Sequence, residues 1–333
     1  MTIECLIVGC GKIAGSLDNI GDVKAGKVRS HSSAYYVNSG TKIVGYVDID
    51  YLAAKTLASK YHVDFYSCLI SDAILELQPQ VVSVCTPDHT HFDVVQEILT
   101  SITPPALILL EKPAVTNAEE FKILIDLSKE CGTKIIVNHS RRFDENYTRL
   151  KRIVRDRSYG DCLRVDCWYY GGWSHNGVHV IDTLQYIFSD VMEIGYISDM
   201  THMKGQKDMS IEGKFKFKNS DIAVVLNHMD ESNYQLFEFD FKFSMGRIRI
   251  ENFEERFYIE KLVINELGER ILMSEGENLT HIGEDKILQE PIANAIQLLV
   301  DIISDGRNYN DWSLENSEST MAFIWAVNQK VLK

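Results

Sequence analysis

The sequence predicts an α/β protein with an amino-terminal doubly wound parallel sheet and a second α/β domain built on a large, open, mainly antiparallel sheet. Two observations carry this expectation. Up to about residue 138, short continuous apolar runs alternate with amphipathic stretches of helical spacing, the pattern of strands buried on both faces and joined by helices. Beyond it, apolar and polar residues alternate singly, as in Leu236-Phe-Glu-Phe-Asp-Phe-Lys-Phe243, which is the period of half-buried strands. The domains are accordingly placed at residues 1–138 and 139–333.

The first strand, Ile3–Val8, is apolar except for Glu4 and runs straight into Gly9-Cys-Gly-Lys-Ile-Ala-Gly15. Residues 42–47 form the second strand and end at Asp48. Strands at 81–85, Leu107–Leu110 and Lys134–Val137 follow, with helices between them at Tyr51–Tyr61 and Ala118–Cys131. The second half offers strands at 163–169, 214–217, 222–226, 236–243, 247–250 and 257–264. Helices at 291–304 and 317–331 close the chain, the last returning toward the amino-terminal domain. The stripe Phe237, Phe239, Phe241 and Phe243 suits sheet packing or a subunit interface. An open face carrying it would be a large apolar patch, so a homodimer or homotetramer through the second sheet is expected.

Against 48 Asp and Glu the chain has only 34 Lys and Arg, and the net charge of −14 disfavours nucleic acid and anionic membrane as partners. No stretch approaches the ~20 apolar residues of a membrane span. Seven scattered cysteines, an odd number, read as reduced thiols, and with an amino terminus that enters a strand at once they point to a cytoplasmic protein.

Gly9-x-Gly11-x-x-Ala14 stands where a strand is expected to turn into a helix, letting backbone amides approach a pyrophosphate at the helix's positive end. Gly9, Gly11, Lys12 and Ile13 are therefore candidate dinucleotide contacts. Asp48, at the end of the second strand, is placed to accept the adenosine ribose hydroxyls and to repel a 2′-phosphate, which selects NAD over NADP. The alternative is a strand-end turn aspartate. Asp48 lies about twice the usual ~20 residues beyond the glycines, so residues 16–30 are taken as an insertion. Thr86-Pro87 ends the buried strand before it, since proline cannot continue a ladder. Lys112, after another buried strand, can point an ammonium to the carboxyl edge of the sheet, where it would stabilise a developing alkoxide.

The segments Val84-Cys-Thr-Pro-Asp-His-Thr-His91, Glu111-Lys-Pro113, Asn138-His-Ser-Arg-Arg-Phe143 and Gly171-Gly-Trp-Ser-His-Asn-Gly-Val-His-Val-Ile-Asp182 follow the glycine motif in order. On these five segments the sequence resembles the Gfo/Idh/MocA family over almost the whole chain. The resemblance implies a Rossmann domain, a second domain whose open sheet often serves oligomer contacts, and an NAD(P)-dependent oxidoreductase acting on CH–OH groups. It implies cofactor contacts at Thr86, Pro87, His91, Glu111 and Lys112, with Lys112 also binding the reacting hydroxyl. It makes His179 the group that takes or gives the hydroxyl proton, a task suited to imidazole.

Arg142 matches a recurrent family arginine, able either to hold an anionic substrate group or to serve a structural ion pair. Trp173, in the run Trp168–Trp173, suits stacking on a sugar or base, or sheet packing. Asp182 either supports the site or packs its helix. At position 175 many family members carry aspartate, whereas this chain has His175. Either His175 replaces it in handling protons or binding substrate, or the proton path runs through Lys112 and His179 alone. No metal is expected. The function expected is hydride transfer between NAD and a secondary alcohol or ketone of a sugar, polyol or derivative, the insertion and aromatics favouring a nucleotide-linked or amino sugar. The alternatives are a cofactor-retaining sugar oxidoreductase or lyase, and a non-catalytic dinucleotide-binding sensor.

Overall fold

Six parallel strands, β1 (Ile3–Val8), β2 (Thr41–Val47), β3 (Phe65–Ser67), β4 (Val81–Val84), β5 (Leu107–Leu110) and β6 (Lys134–Val137), form the first sheet of the computed structural model in the order β3-β2-β1-β4-β5-β6. The structure describes residues 2–202, 208–274, 279–280 and 290–331. Helices α1 (Ile20–Lys24), α2 (His31–Val37), α3 (Tyr51–Tyr61), α4 (Ile70–Leu77), α5 (His91–Leu99) and α6 (Ala118–Cys131) connect the strands. β4 and β5 are buried at every position, as strands covered on both faces must be. Start and stop signals act where they stand: Asp50 caps α3 through the amides of Leu52 and Ala53, and Asn117 caps α6, which ends on left-handed Gly132.

The glycine segment does not pass directly into a helix. Residues 11–17 form turns, and Gly15 has a φ of 132° that no helix accommodates. The chain then makes an excursion and re-enters at Ser30, whose side chain forms a reciprocal capping box with Ser33 at the start of α2. His31 N–H donates to Ile13 O at 3.0 Å and Ser32 N–H to Ala14 O at 3.1 Å, so α2 resumes where the glycine turn left off. The excursion coincides with the insertion expected at 16–30. Asp18 secures it by accepting hydrogen bonds from Ser30 and Tyr61, while Lys60 Nζ donates to Gly15 O and Ser16 O.

The chain divides into two units, Met1–Asp144 with Leu288–Glu318, and Glu145–Ile287 with Ser319–Lys333. The second unit thus begins at Glu145 rather than at 139, and a later segment belongs with the first. The elements that follow are α7 (Glu145–Arg155), β7 (Cys162–Tyr170), α8 (Val178–Phe188), β8 (Met192–His202), β9 (Met209–Phe217), β10 (Ala223–Met229), β11 (Glu238–Phe243), β12 (Gly246–Glu251), β13 (Arg256–Ile264), β14 (Arg270–Ser274), β15 (Leu279–Thr280), α9 (Glu290–Asp305) and α10 (Leu314–Val331). Within the first unit, α9 places Ile292, Ala295, Ile296 and Leu299 in the same core as Ile3, Cys5 and Tyr35.

In the second unit a nine-stranded sheet runs β14-β13-β12-β11-β7-β10-β9-β8, with β15 beside β13; only β7 and β10 are parallel. The Phe stripe of β11 and the residue before it is not an open face. Phe237, Phe239, Phe241 and Phe243 are 2%, 1%, 0% and 7% exposed, with Phe188 of α8 and Tyr147 of α7 packed on Phe241 and Phe239. The apolar-patch argument for an oligomer is therefore overturned, because helices of the same unit cover that patch. The other side of the sheet carries Arg164 and Asp166 of β7, Asp240 and Lys242 of β11, Arg247 and Arg249 of β12 and Glu260 of β13 in a ladder of ion pairs. No helix among the described residues is long and apolar enough to cross a membrane, and all seven cysteines are free.

Candidate active site

In the first unit, the strand order brings the carboxyl ends of β1 and β4 side by side, where connections leave in opposite directions and a crevice opens. Gly9 occupies the end of β1 with a φ of 89°, and a Cβ there would lie 2.7 Å from Cys85 C and Thr86 N. Only glycine allows β1 to turn this close to β4. Gly11 has nothing within 4 Å of a built Cβ, so the loop presents bare backbone to open space. Lys12 and Ile13 are exposed beside it. A cavity between the glycine turn and α3 is lined by Cys10, Ser16, Leu52, Thr56 and Lys60.

Asp48 stands at the end of β2 as expected, half-buried, and does turn work there. Its Oδ2 accepts the Cys10 N–H at 2.7 Å and its Oδ1 the Asp50 N–H at 2.8 Å. A carboxylate offers about four lone-pair sites, so both bonds leave acceptor capacity for a ligand.

Past β4, exposed Pro87 ends the strand, and the Thr86 carbonyl is fixed by His91. The ring of His91 is 1% exposed and directs Nε2 at Thr86 O, 2.9 Å away, and Nδ1 at Pro113 O, 2.8 Å away. His91 thus ties the loop after β4 to the turn after β5. It is a structural neighbour of the crevice, while His89 is exposed in the turn before α5.

Glu111 and Lys112 leave β5. The Glu111 carboxylate turns inward: its Oε1 receives Asn138 Nδ2 at 2.6 Å and lies 2.9 Å from His31 Nε2. Burial pushes Glu111 up, but these bonds, the His31 charge and Lys112 outweigh it and hold the carboxyl below its ordinary range. For Lys112, burial is the larger influence and lowers the ammonium below its usual value, with Arg141 adding to the effect and Glu111 and Asp88 opposing it. Two buried polar atoms at this edge, Thr86 Oγ1 and Asn138 Oδ1, have no hydrogen-bond partner. Orphaned polar atoms beside a bare glycine loop are what a polar ligand at this edge would satisfy, so these residues fit a nicotinamide dinucleotide.

His31 and Ser83 carry no signal in the sequence, and Asn138 stands in the segment 138–143 without a role of its own. His31 has its partners 52 and 80 positions away, so no local pattern distinguishes it from an ordinary residue at the start of a helix. Arg142 was a candidate substrate group and is instead 2% exposed, donating to Asp311 O at 2.6 Å and Asn316 Oδ1 at 2.5 Å within the first unit. It joins the segment after β6 to the returning segment at 311–316.

In the second unit, residues Trp173–Gly177 form a π-helical turn that leads into α8. His175 lies within this turn, where i→i+5 bonding changes the angular spacing, and His179 follows it on α8. His175 is exposed, its N–H donated to Asp208 Oδ2 at 2.9 Å, and His179 is half-buried on the first turn of α8. Asp182 is 2% exposed and accepts Thr320 Oγ1 at 3.1 Å, which ties α8 to α10. Trp173 is not a stacking platform for substrate. It is fully buried against Phe215, Tyr169 and Phe323, and Gly177 is required because a Cβ there would meet its ring at 2.5 Å. Among the described residues no three His, Cys, Asp or Glu side chains are grouped to hold a metal ion.

Residues 3–139 match the family described as an oxidoreductase family with an NAD-binding Rossmann fold. Inositol 2-dehydrogenase from Rhizobium meliloti is 24% identical over 165 residues, 50% of this chain and 44% of its own length. A second inositol 2-dehydrogenase, from Rhodococcus erythropolis, is 28% identical over 42% of this chain and 41% of its own. The chain thus matches less than half the length of these relatives. Two solved structures share the whole fold. A putative myo-inositol dehydrogenase from Sinorhizobium meliloti has a TM-score of 0.74 at 19% identity, covering 99% of this chain and 98% of its own. A 3-ketoreductase from Actinomadura kijaniata in complex with TDP-benzene and NADP has a TM-score of 0.77 at 15% identity, covering 98% and 97%.

Proposed function

We propose, from the match of residues 3–139 to the Gfo/Idh/MocA oxidoreductase family with its NAD-binding Rossmann fold, that the protein oxidises a secondary alcohol, or reduces the ketone, of a sugar, polyol or sugar derivative. The observation that carries this reading is the edge of the first sheet, where bare Gly11, orphaned Thr86 Oγ1 and Asn138 Oδ1, and the Lys112 ammonium stand on adjacent strand ends. Relatives named inositol 2-dehydrogenase support the polyol class.

A nicotinamide dinucleotide bound there supplies or accepts the hydride. Gly11, Lys12 and Ile13 would hold its pyrophosphate on backbone amides, Gly9, whose own N–H goes to Val47 O, making the close turn that presents them, and Asp48 would take the ribose hydroxyls with its remaining lone pairs. The Asp48 charge disfavours a 2′-phosphate, so NAD is the preferred cofactor. Lys112 hydrogen-bonds the reacting oxygen and stabilises its charge as an alkoxide; a buried ammonium is worth more there than one in water. His179 holds or removes the hydroxyl proton, and His175 binds substrate hydroxyls from its exposed turn. A homodimer or homotetramer forms through the second sheet, on the face that carries the charged ladder.

The test is the near-ultraviolet absorbance of reduced nicotinamide when purified protein is given NAD or NADP with inositols, free sugars, sugar acids and nucleotide sugars. Turnover with one class names the substrate; dinucleotide binding without turnover on any class overturns the dehydrogenase reading. Sedimentation at low and high salt tests the assembly, since an ionic interface must weaken with salt.

A further inference from the structure

Beneath the crevice lies a chain of buried polar groups that the reaction above does not use. Tyr35 Oη is 2.8 Å from Ser83 Oγ, Ser83 Oγ is 3.0 Å from His31 Nδ1, and His31 Nε2 is 2.9 Å from Glu111 Oε1. Tyr35, Ser83 and His31 are each no more than 1% exposed. An ionised Glu111 can only accept, so Nε2 must carry the proton. Tyr35, Ser83 and His31 thus form one unbroken run of buried hydrogen bonds that ends on the carboxylate, each strengthening the next. Because the chain ends in the core, it has no outlet through which to conduct protons. What it does is hold one carboxylate in place, next in sequence to Lys112.

We propose that His31 is a positioning residue for Lys112, acting through Glu111: its Nε2–H, 2.9 Å from Oε1, fixes the buried carboxylate of the residue that precedes the lysine where both leave β5. This rests on the reading of Lys112 as the cation of the site. The groups facing Glu111 are His31 from α2, Asn138 after β6, Lys112 and the Cys85 thiol after β4. Those facing Lys112 are Glu111, Arg141 and Asp88. Of these Glu111 and Asp88 favour the ammonium, and Glu111 is the larger influence, so a neutralised Glu111 leaves the smaller effect of Asp88 against burial and Arg141.

The experiment is competitive labelling of the full-length protein with trace acetic anhydride over a pH series, read by peptide mass spectrometry at Lys112, with surface lysines as internal standards. His31→Leu is expected to move the Lys112 midpoint down by about half a pH unit or more, and His31→Gln, which retains an N–H donor, to stay near wild type. Glu111→Gln, an isosteric neutral replacement, serves should His31→Leu fail to fold, and is expected to give the same downward move. An unmoved midpoint in a folded His31→Leu or Glu111→Gln protein overturns the proposal, as does a His31→Gln shift as large as that of leucine. The labelling needs no substrate, so its failure leaves the role of Lys112 standing; loss of that role, seen as full turnover by Lys112→Ala, leaves the labelling result standing.

Discussion

The carboxylate of Asp48 accepts the backbone N–H of Cys10 at 2.7 Å, so the residue placed to read the cofactor's ribose also clamps the glycine turn to the end of β2. The two tasks separate by readout. Asp48→Asn keeps an acceptor for one of the two backbone N–H groups, loses the other and removes the charge, and is expected to raise the preference for NADP relative to NAD by about tenfold, or 1.4 kcal/mol, and to cost about 1–2 kcal/mol of stability. Dissociation constants for the two dinucleotides check this. An unchanged ratio would leave Asp48 as a turn clamp alone.

Gly9 and Gly11 are two residues apart and are expected to fail differently. Gly9→Ala forces a Cβ into Cys85 and Thr86 at a φ of 89° and is expected to destabilise the fold by about 1–3 kcal/mol in urea titration. Gly11→Ala meets nothing in the fold, so its stability should stay within about 0.5–1 kcal/mol of wild type while dinucleotide binding weakens. Equal losses of stability would remove the distinction.

Lys112→Ala and His179→Ala are each expected to lower kcat by at least ~10²-fold with the dinucleotide still bound. Steady-state kinetics with the substrate found by the panel decides this residue by residue. A loss confined to KM would reassign the residue to substrate binding.

Glu111, held below its ordinary range, makes stability depend on pH. Between its folded and unfolded values the unfolded chain binds more protons, so stability rises with pH there. The contribution is fully present above the unfolded value of about 4.3 and is lost as pH falls below it through the folded value. Glu111→Gln lacks this ionisation, and its unfolding free energy should fall less steeply than that of wild type on acidification through that window. Parallel curves for the two proteins would contradict the assignment.

Arg142→Leu strands the Asp311 carbonyl and the Asn316 amide and is expected to cost about 2–4 kcal/mol of stability in chemical denaturation, without a specific effect on substrate affinity. A stable variant with raised KM would restore Arg142 to the ligand site.

Much of the architecture was written in local pattern. The runs Ile3–Val8, Leu107–Leu110 and Lys134–Val137 became strands with those bounds because continuous apolar segments have no solvent face to offer, and the 16–30 insertion was legible because Asp48 stood too far from the glycines. The Gly9 and Asp48 positions, and the exits of Thr86 and Lys112 at strand ends, follow from the same periodicity. Tertiary structure decided which polar and aromatic side chains are exposed. Arg142, Trp173 and the Phe stripe have residue types that serve equally as ligand contacts or as packing, and the choice depends on what covers them: the segment at 311–316, Phe215 with Phe323, and α7 with α8. The buried bond between His31 and Glu111 was likewise out of reach, because a hydrogen bond spanning 80 positions leaves no periodicity in the chain and exists only once β1, β4 and β5 are laid side by side.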